Sequence, residues 1–510
     1  MSSRIVDTPD PVKVGHTGLV ILDGIGLGVA DVVRLADGSA RPVPGTDAMK
    51  RVTESWDAAR QIAATGRVYG RSTGVGANRN EDVPTEAAAE HGLRLLRSHA
   101  GAIGEELPAR QVRATLAVRA NQLLAGGAGL RPTVVTALCE ALESGAYPVV
   151  NEFGSVGTGD IAALAQVGLA LAGEHPWRGA DGAAGGAPEP QLLDNNDALA
   201  FISSNALTLG QAALALHELR GLIEATQVVG ALSLLAVDGS HEAYAAPVHA
   251  ARPHRGSVEV ARRMRELIGA EDRPTPPLGR IQDPYGFRCL PQIHGPAQDA
   301  ADTLEEVLAI EINAAAENPL ISPEDMAAYH HGGFYQAQLA LALDHFRLAL
   351  TQVARLSTSR LSTLNEPAFT RLRPFLADQE PASSGVMILE YAAGAALGDL
   401  RAFSAPASLG HAVLSRGVEE QASFASLAAR QTLRACGAYR LVVGCELVAA
   451  VRALRQRDLR PDPDLPVGRA LELAEAVLEE DAADRPLTGD VTAAAALLDR
   501  FTDIWRGSEA

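Results

Sequence analysis

Three short segments of this chain set polar side chains where they could do chemistry. In the first, Tyr69 opens a glycine-rich run, Tyr69-Gly70-Arg71-Ser72-Thr73-Gly74-Val75-Gly76. A phenol with a lowered pKa can remove a weakly acidic proton, and a positioned base contributes roughly 10²–10⁴-fold to a rate. The alternative is a tyrosine that only packs beside the turn. In the second, Arg288 closes Gln282-Asp283-Pro284-Tyr285-Gly286-Phe287-Arg288. Its guanidinium fork can grip a carboxylate through two parallel charge-assisted bonds, with Tyr285 as a further acid, base or donor. An ion pair at a helix end is the other reading. The third is Gly154-Ser155-Val156-Gly157-Thr158-Gly159-Asp160, which holds the β-hydroxyl of Thr158 between two glycines. As a plain loop hydroxyl, Thr158 would suit the N-cap of a helix starting near Ile161.

The elements that must position these groups follow from length and composition. A chain of 510 residues supports a large core and more than one domain. Aromatics are only 4% while Ala, Leu, Val and Gly abound, which favours long helices in close contact over a β-sandwich. A net charge of −18 argues against nucleic acid or an anionic membrane as partner. The only lysines are Lys13 and Lys50, so lysine Schiff-base chemistry has almost no candidates. Cys139, Cys289, Cys436 and Cys445 show no metal-like spacing and read as reduced. Neither a signal peptide nor a membrane span is expected, and the protein is expected in the cytoplasm. His330 and His331 have no spacing that requires a metal.

A strand, a turn and a helix are expected from Gly18 onward; the glycines after Asp23 lack dinucleotide-binding spacing. Loops are expected at 174–196 and at Arg273-Pro274-Thr275-Pro276-Pro277-Leu278-Gly279. Apolar residues recurring every three or four positions predict long helices over about 296–316, 337–364 and 419–457. The expected division is an N-terminal active-site domain (1–200), a central long-helix bundle (201–460) and a helical tail (461–510).

The motifs together resemble those of the aromatic amino acid ammonia-lyases, the histidine, phenylalanine and tyrosine lyases and related aminomutases. Residues 154–160 are similar to the family's Gly-Ser-Val-Gly-Ala-Ser-Gly-Asp, and 69–76 to its Tyr-Gly-Val-Asn-Thr-Gly-Phe-Gly. Leu96-Arg97-Ser98-His99-Ala100-Gly101 resembles the segment that selects the substrate ring, in the Ser-His form of histidine lyases. Residues 282–292, Glu317-Asn318-Pro319-Leu320 and Val418-Glu419-Glu420-Gln421-Ala422-Ser423 follow in the family's order. The resemblance implies an all-α, fumarase/aspartase-like homotetramer with sites built from three chains. Tyr69, His99 and the 154–160 loop would come from one chain, and Tyr285, Arg288 and Glu419 from others. It further implies Tyr69 as base, Arg288 and Gln282 on the substrate carboxylate, and His99 with Glu419 on a polar ring.

In that family the Ala-Ser-Gly tripeptide cyclises and loses water to give 4-methylidene-imidazol-5-one, the electrophile that captures the substrate amine. Cyclisation brings an amide nitrogen onto a carbonyl two residues back, and dehydration consumes a β-hydroxyl. Here the tripeptide is Gly157-Thr158-Gly159, with a residue missing ahead of it. A dehydrated threonine would carry an extra methyl on the reacting carbon. The family's Ile-Asn-Gly-Thr becomes Ile202-Ser203-Ser204-Asn205, replacing the supporting asparagine with Ser203 unless Asn205 substitutes from a shifted position. Its Gly-Gly-Asn-Phe-His becomes Gly332-Gly333-Phe334-Tyr335-Gln336, with Phe334 as a pocket wall. The expectation is a carbon–nitrogen lyase or aminomutase for histidine or a polar-ring aromatic amino acid, with no external cofactor and no imidazolone. The alternatives are an imidazolone-independent isomerase, cyclase or lyase on an aromatic carboxylate, or a silent oligomeric partner.

Overall fold

The computed structural model describes residues 18–274 and 280–506. Lys13, the N-terminal stretch and Thr275–Gly279 of the second expected loop lie outside them. The chain is mostly helical, with four two-stranded sheets among the described residues. It divides into two compact units: residues up to 217 with 305–343 and 406–430, and residues 218–304 with 344–405 and 431–510. The unit boundary falls inside four long helices, Ala206–Ala236, Leu290–Glu311, Ala337–Leu364 and Ala425–Gln456.

The first unit opens as expected with a strand, a turn and a helix. Gly18–Leu22 pairs in parallel with Ala40–Pro44, and the helix Val29–Ala36 joins them. The turn needs glycine at position 24, because a Cβ there would sit 2.4 Å from the Ala125 backbone nitrogen. Behind this ribbon the helix Ala109–Leu124 buries every residue from Val112 to Leu124. Two of these are arginines, and a buried charge must find partners. Arg119 meets Glu317 at 2.7 Å, each side chain about 1% exposed. Arg119 also donates to the carbonyls of Ala200 (2.5 Å) and Phe201 (2.9 Å). Those carbonyls end the short helix Ala198–Ile202 and would otherwise lack partners, so Arg119 fixes the segment that leads into Ser203.

In the second unit, Arg360 and Glu446 form a fully buried pair at 2.6 and 2.8 Å. The same carboxylate accepts from Ser233 (2.7 Å) and Ser357 (2.5 Å), which satisfies its remaining lone pairs. Helices Arg255–Ile268, Pro466–Glu475 and Thr488–Arg506 complete this unit.

Helix boundaries correct the sequence reading in two places. The helix expected from 296 starts at Leu290 and runs through Pro296, then stops at Glu311. The one expected from 419 starts at Ala425, because Phe424 takes φ +55 and breaks the turn before it. The stretch Ala198–Ala236 is apolar enough to cross a membrane, but its window is entirely buried within the protein.

Candidate active site

The sequence-derived candidates Tyr69, His99, Gly157, Thr158, Gly159, Ser203, Phe334 and Glu419 fall in the first unit. Tyr69 leaves the chain just before Gly70, where a Cβ would lie 2.0 Å from the Leu199 side chain. Arg71, buried to 2%, pins this turn by donating to the carbonyls of Ala128 (2.6 Å), Gly129 (3.0 Å) and Asn196 (2.6 Å). Burial lowers its guanidinium pKa to about 10, partly offset by Asp197, Asp194 and Glu317. Sequence reading passed over Arg71; its one signal is a charged residue inside a glycine-rich turn. Arg71→Met strands three buried carbonyls and nearby acids, so a loss of roughly 3–5 kcal/mol is expected in denaturant titration. An unchanged midpoint would show that Arg71 does not hold the turn.

The Tyr69 hydroxyl oxygen accepts from the Gly76 N–H at 2.7 Å. Its ring stands edge-on to His330, with centroids 6.3 Å apart. The lowered pKa that would suit a base is not what the surroundings give Tyr69. Burial raises the pKa and the Glu419 carboxylate adds to this, while the Gly76 bond and Arg79 act the other way. In the chain alone, Tyr69 is therefore a neutral phenol that needs a nearby cation to become a good base.

His99 ends the helix Ala88–His99 and turns its Nδ1 to the Leu95 carbonyl at 2.9 Å. A carbonyl only accepts, so Nδ1 carries the proton, and in the neutral ring Nε2 is left as an acceptor. The Ser98 hydroxyl lies 3.0 Å from the same Nδ1.

The loop ahead of Asp160 is held by its own hydroxyl and by a strap from residues 423–426. Ser155 Oγ accepts from the Gly157 N–H (3.1 Å) and donates to the Gly159 carbonyl (3.1 Å). Three successive carbonyls are then capped by the strap. Ser426 Oγ reaches Ser155 (2.8 Å), the Phe424 N–H reaches Val156 (2.8 Å), and Ser423 Oγ reaches Gly157 (2.9 Å). Gly157 and Gly159 take φ +88 and +105, in the region that favours glycine. A Cβ on Gly157 would stand 2.2 Å from Ser423 Oγ and 2.7 Å from the Phe424 nitrogen. Thr158 does not cap a helix. The N-cap of Ile161–Leu171 is Asp160, whose buried carboxylate accepts from the Thr208 N–H (2.8 Å) and hydroxyl (2.9 Å). Burial raises the Asp160 pKa against those bonds.

Thr158 and His99 instead lie near enough to Glu419 to act on its carboxylate. Burial raises the Glu419 pKa; His99 and Thr158 oppose it. The expectation that Glu419 arrives from another subunit is thus corrected: it meets Thr158 and His99 of its own chain. Ser203 accepts from the Asn318 N–H at 3.0 Å. The Asn205 amide is committed to the Phe334 carbonyl at 2.8 Å, so it braces the pocket wall.

Gln282, Tyr285 and Arg288 lie in the second unit. Tyr285 is 67% exposed, and the Arg288 guanidinium rests over its ring at 4.9 Å from the centroid. Arg288 Nε donates to the Asp283 carbonyl at 2.8 Å. The four cysteines are buried and form no disulfide. Among the described residues no group of His, Cys, Asp or Glu could hold a metal ion.

Comparison with known proteins bears on this arrangement. The model of the aromatic amino acid lyase family matches residues 27–479. A histidine ammonia-lyase from Geobacillus kaustophilus is 34% identical over 450 residues, covering 86% of this chain and 89% of that protein. Among solved structures, the ergothioneine-degrading enzyme ergothionase from Treponema denticola, in complex with desmethyl-ergothioneine sulfonic acid, is similar with TM-score 0.88 and 27% identity. It covers 95% of this chain and 99% of its own. Histidine ammonia-lyase from Trypanosoma cruzi gives TM-score 0.88 at 26% identity, covering 97% and 95%. Matched across most of its length, the chain belongs to the aromatic amino acid ammonia-lyase family, and its activity is that of a carbon–nitrogen lyase.

Proposed function

We propose that this protein eliminates the α-nitrogen from an imidazole or other polar-ring aromatic acid, with Tyr69 as base and without a protein-derived imidazolone. One observation carries the reading: Gly157 is strapped at φ +88 with no room for a Cβ, which holds the Thr158 loop in a shape the family's tripeptide could not take.

The elimination itself is simple to balance. The base takes a Cβ proton, the C–H electron pair becomes the new double bond, and nitrogen leaves with the Cα–N pair. An ordinary α-ammonium obstructs this, because its N–H is far more acidic than Cβ–H and would be deprotonated first. The family's imidazolone removes that obstacle by capturing the amine. A quaternary nitrogen removes it without help: it has no proton to lose, it keeps its charge, and it departs as a neutral tertiary amine. Its fixed positive charge also offsets the burial and the Glu419 carboxylate that keep Tyr69 protonated. The substrate class that fits is a betaine of an imidazole amino acid. The similarity to the ergothioneine-degrading enzyme supports this, since ergothioneine is such a betaine.

Thr158 and His99 hold Glu419 for the ring, where a polar group can satisfy it and a phenyl would leave a carboxylate unpaired. Ser203 and Phe334 belong to the pocket wall. Gln282, Tyr285 and Arg288 bind the substrate carboxylate from another subunit of a homotetramer, a role that suits the exposure of Gln282 and Tyr285 on the single chain. The buried cysteines, with no disulfide among them, agree with a cytoplasmic setting.

The test is a substrate panel of histidine, its trimethyl betaine, tyrosine and phenylalanine, read by ring-conjugated alkene absorbance and released amine. It is joined to an intact-mass measurement. The betaine should turn over at least about a hundredfold faster than histidine, and the mass should equal that of the encoded chain. Preference for histidine, with a deficit of two waters mapped to residues 154–160, would sink the reading.

A further inference from the structure

Between Leu414 and Glu419 the chain folds into a tight hairpin. The Leu414 N–H donates to the Glu419 carbonyl at 2.8 Å, and the Glu419 N–H returns to Leu414 at 3.4 Å. Its tip is unusual. Ser415, Arg416 and Gly417 take φ +51, +57 and +82, three successive residues in the left-handed region, of which only the last is glycine. Side chains other than glycine hold that conformation only where the surroundings impose it.

The surroundings here are the turn after Tyr69. Ser415 Oγ accepts from the Ala77 N–H at 3.0 Å, and a Cβ on Gly76 would lie 2.5 Å from the same oxygen. The neighbouring Gly76 N–H is the one that donates to Tyr69. One end of the hairpin therefore grips the amide next to the base's hydrogen-bond donor, and the other end carries Glu419, the acid near His99 and Tyr69.

We infer that Ser415 is a positioning residue, which clamps the Gly76–Ala77 turn so that the Gly76 N–H stays on the Tyr69 oxygen. The inference rests on Tyr69 acting as the base. A hydrogen bond donated to the phenol oxygen favours the phenolate, so its loss makes the base harder to form. The charged or titratable groups around Tyr69 are Glu419, Arg79 and His330; the Ser415 contact is uncharged and acts through geometry alone.

The experiment is an alkaline ultraviolet titration of tyrosinate, isolating the Tyr69 signal by subtracting the same measurement in a Tyr69→Phe background. In Ser415→Ala that signal should move to higher pH, and kcat near neutral pH should fall about tenfold with a smaller change in KM. Ser415→Asn keeps an acceptor and tolerates the left-handed backbone, so it should restore both. An unmoved titration in folded Ser415→Ala would overturn the inference. So would a Ser415→Asn variant that titrates and turns over as Ser415→Ala is expected to. Full turnover by Tyr69→Phe would refute the base assignment instead, and the titration would still report whether Ser415 holds the turn.

Discussion

Tyr69→Phe should lower kcat by roughly 10²–10⁴-fold while leaving the fold intact, because the change removes one oxygen and nothing else. That oxygen accepts a single hydrogen bond, from the Gly76 N–H in a partly exposed turn, so the stability cost should be about 1 kcal/mol. Steady-state kinetics together with a denaturant titration separate the two effects. The pH dependence has a definite sign. Burial and Glu419 raise the Tyr69 pKa, so kcat/KM, which reports the free enzyme, should climb with pH well into the alkaline range. A variant that retains full turnover would remove Tyr69 from the chemistry and leave Tyr285 as the remaining phenol in the family's motif set.

Restoring the family's tripeptide should fail to restore its electrophile. The double variant Gly157→Ala with Thr158→Ser has the right side chains, yet the backbone at 157 sits at φ +88, where an L-residue is disfavoured by about 1–2 kcal/mol. The new Cβ would also press on Ser423 Oγ and the Phe424 nitrogen, inside the strap that caps the Gly157 carbonyl. Together these should cost roughly 3 kcal/mol of stability, visible as a lower unfolding midpoint. Intact mass should show no loss of water. A deficit of two waters in the double variant would mean that the loop is free to cyclise and that the serine was all that it lacked.

How far the sequence alone could be read depended on whether a feature leaves a periodic or local mark. Ala337–Leu364 is legible to the residue, since Leu339, Leu343, Phe346, Leu350 and Val353 return to one buried side every three or four positions. Ala206–Ala236 is not, because its most apolar stretch is buried throughout and has no polar face to alternate with. The onset at Ala425 was missed for a different reason. The spacing of apolar residues before it continues smoothly, and only the backbone of Phe424 reveals the break. Within the site, the motifs supplied Tyr69, His99, Thr158 and Glu419. They did not disclose that Glu419 meets Thr158 in its own chain, that Ser423 and Ser426 strap the loop, or that Ser415 grips the turn. The last two are hydroxyl-to-backbone contacts between distant segments. A serine that makes such a contact reads the same as one facing water.

The strap also sets a schedule for synthesis. Ser423 and Ser426 close contacts across 266 and 271 positions, and Ser415 reaches Ala77 across 338. At roughly 5–20 residues per second on the ribosome, the loop at 155–160 emerges about 15–50 s before the residues that brace it. Until then Gly157 and Gly159 keep the conformational freedom of an unfastened chain. A polypeptide that terminates early therefore carries Tyr69, His99 and Thr158 without the segment that fixes them.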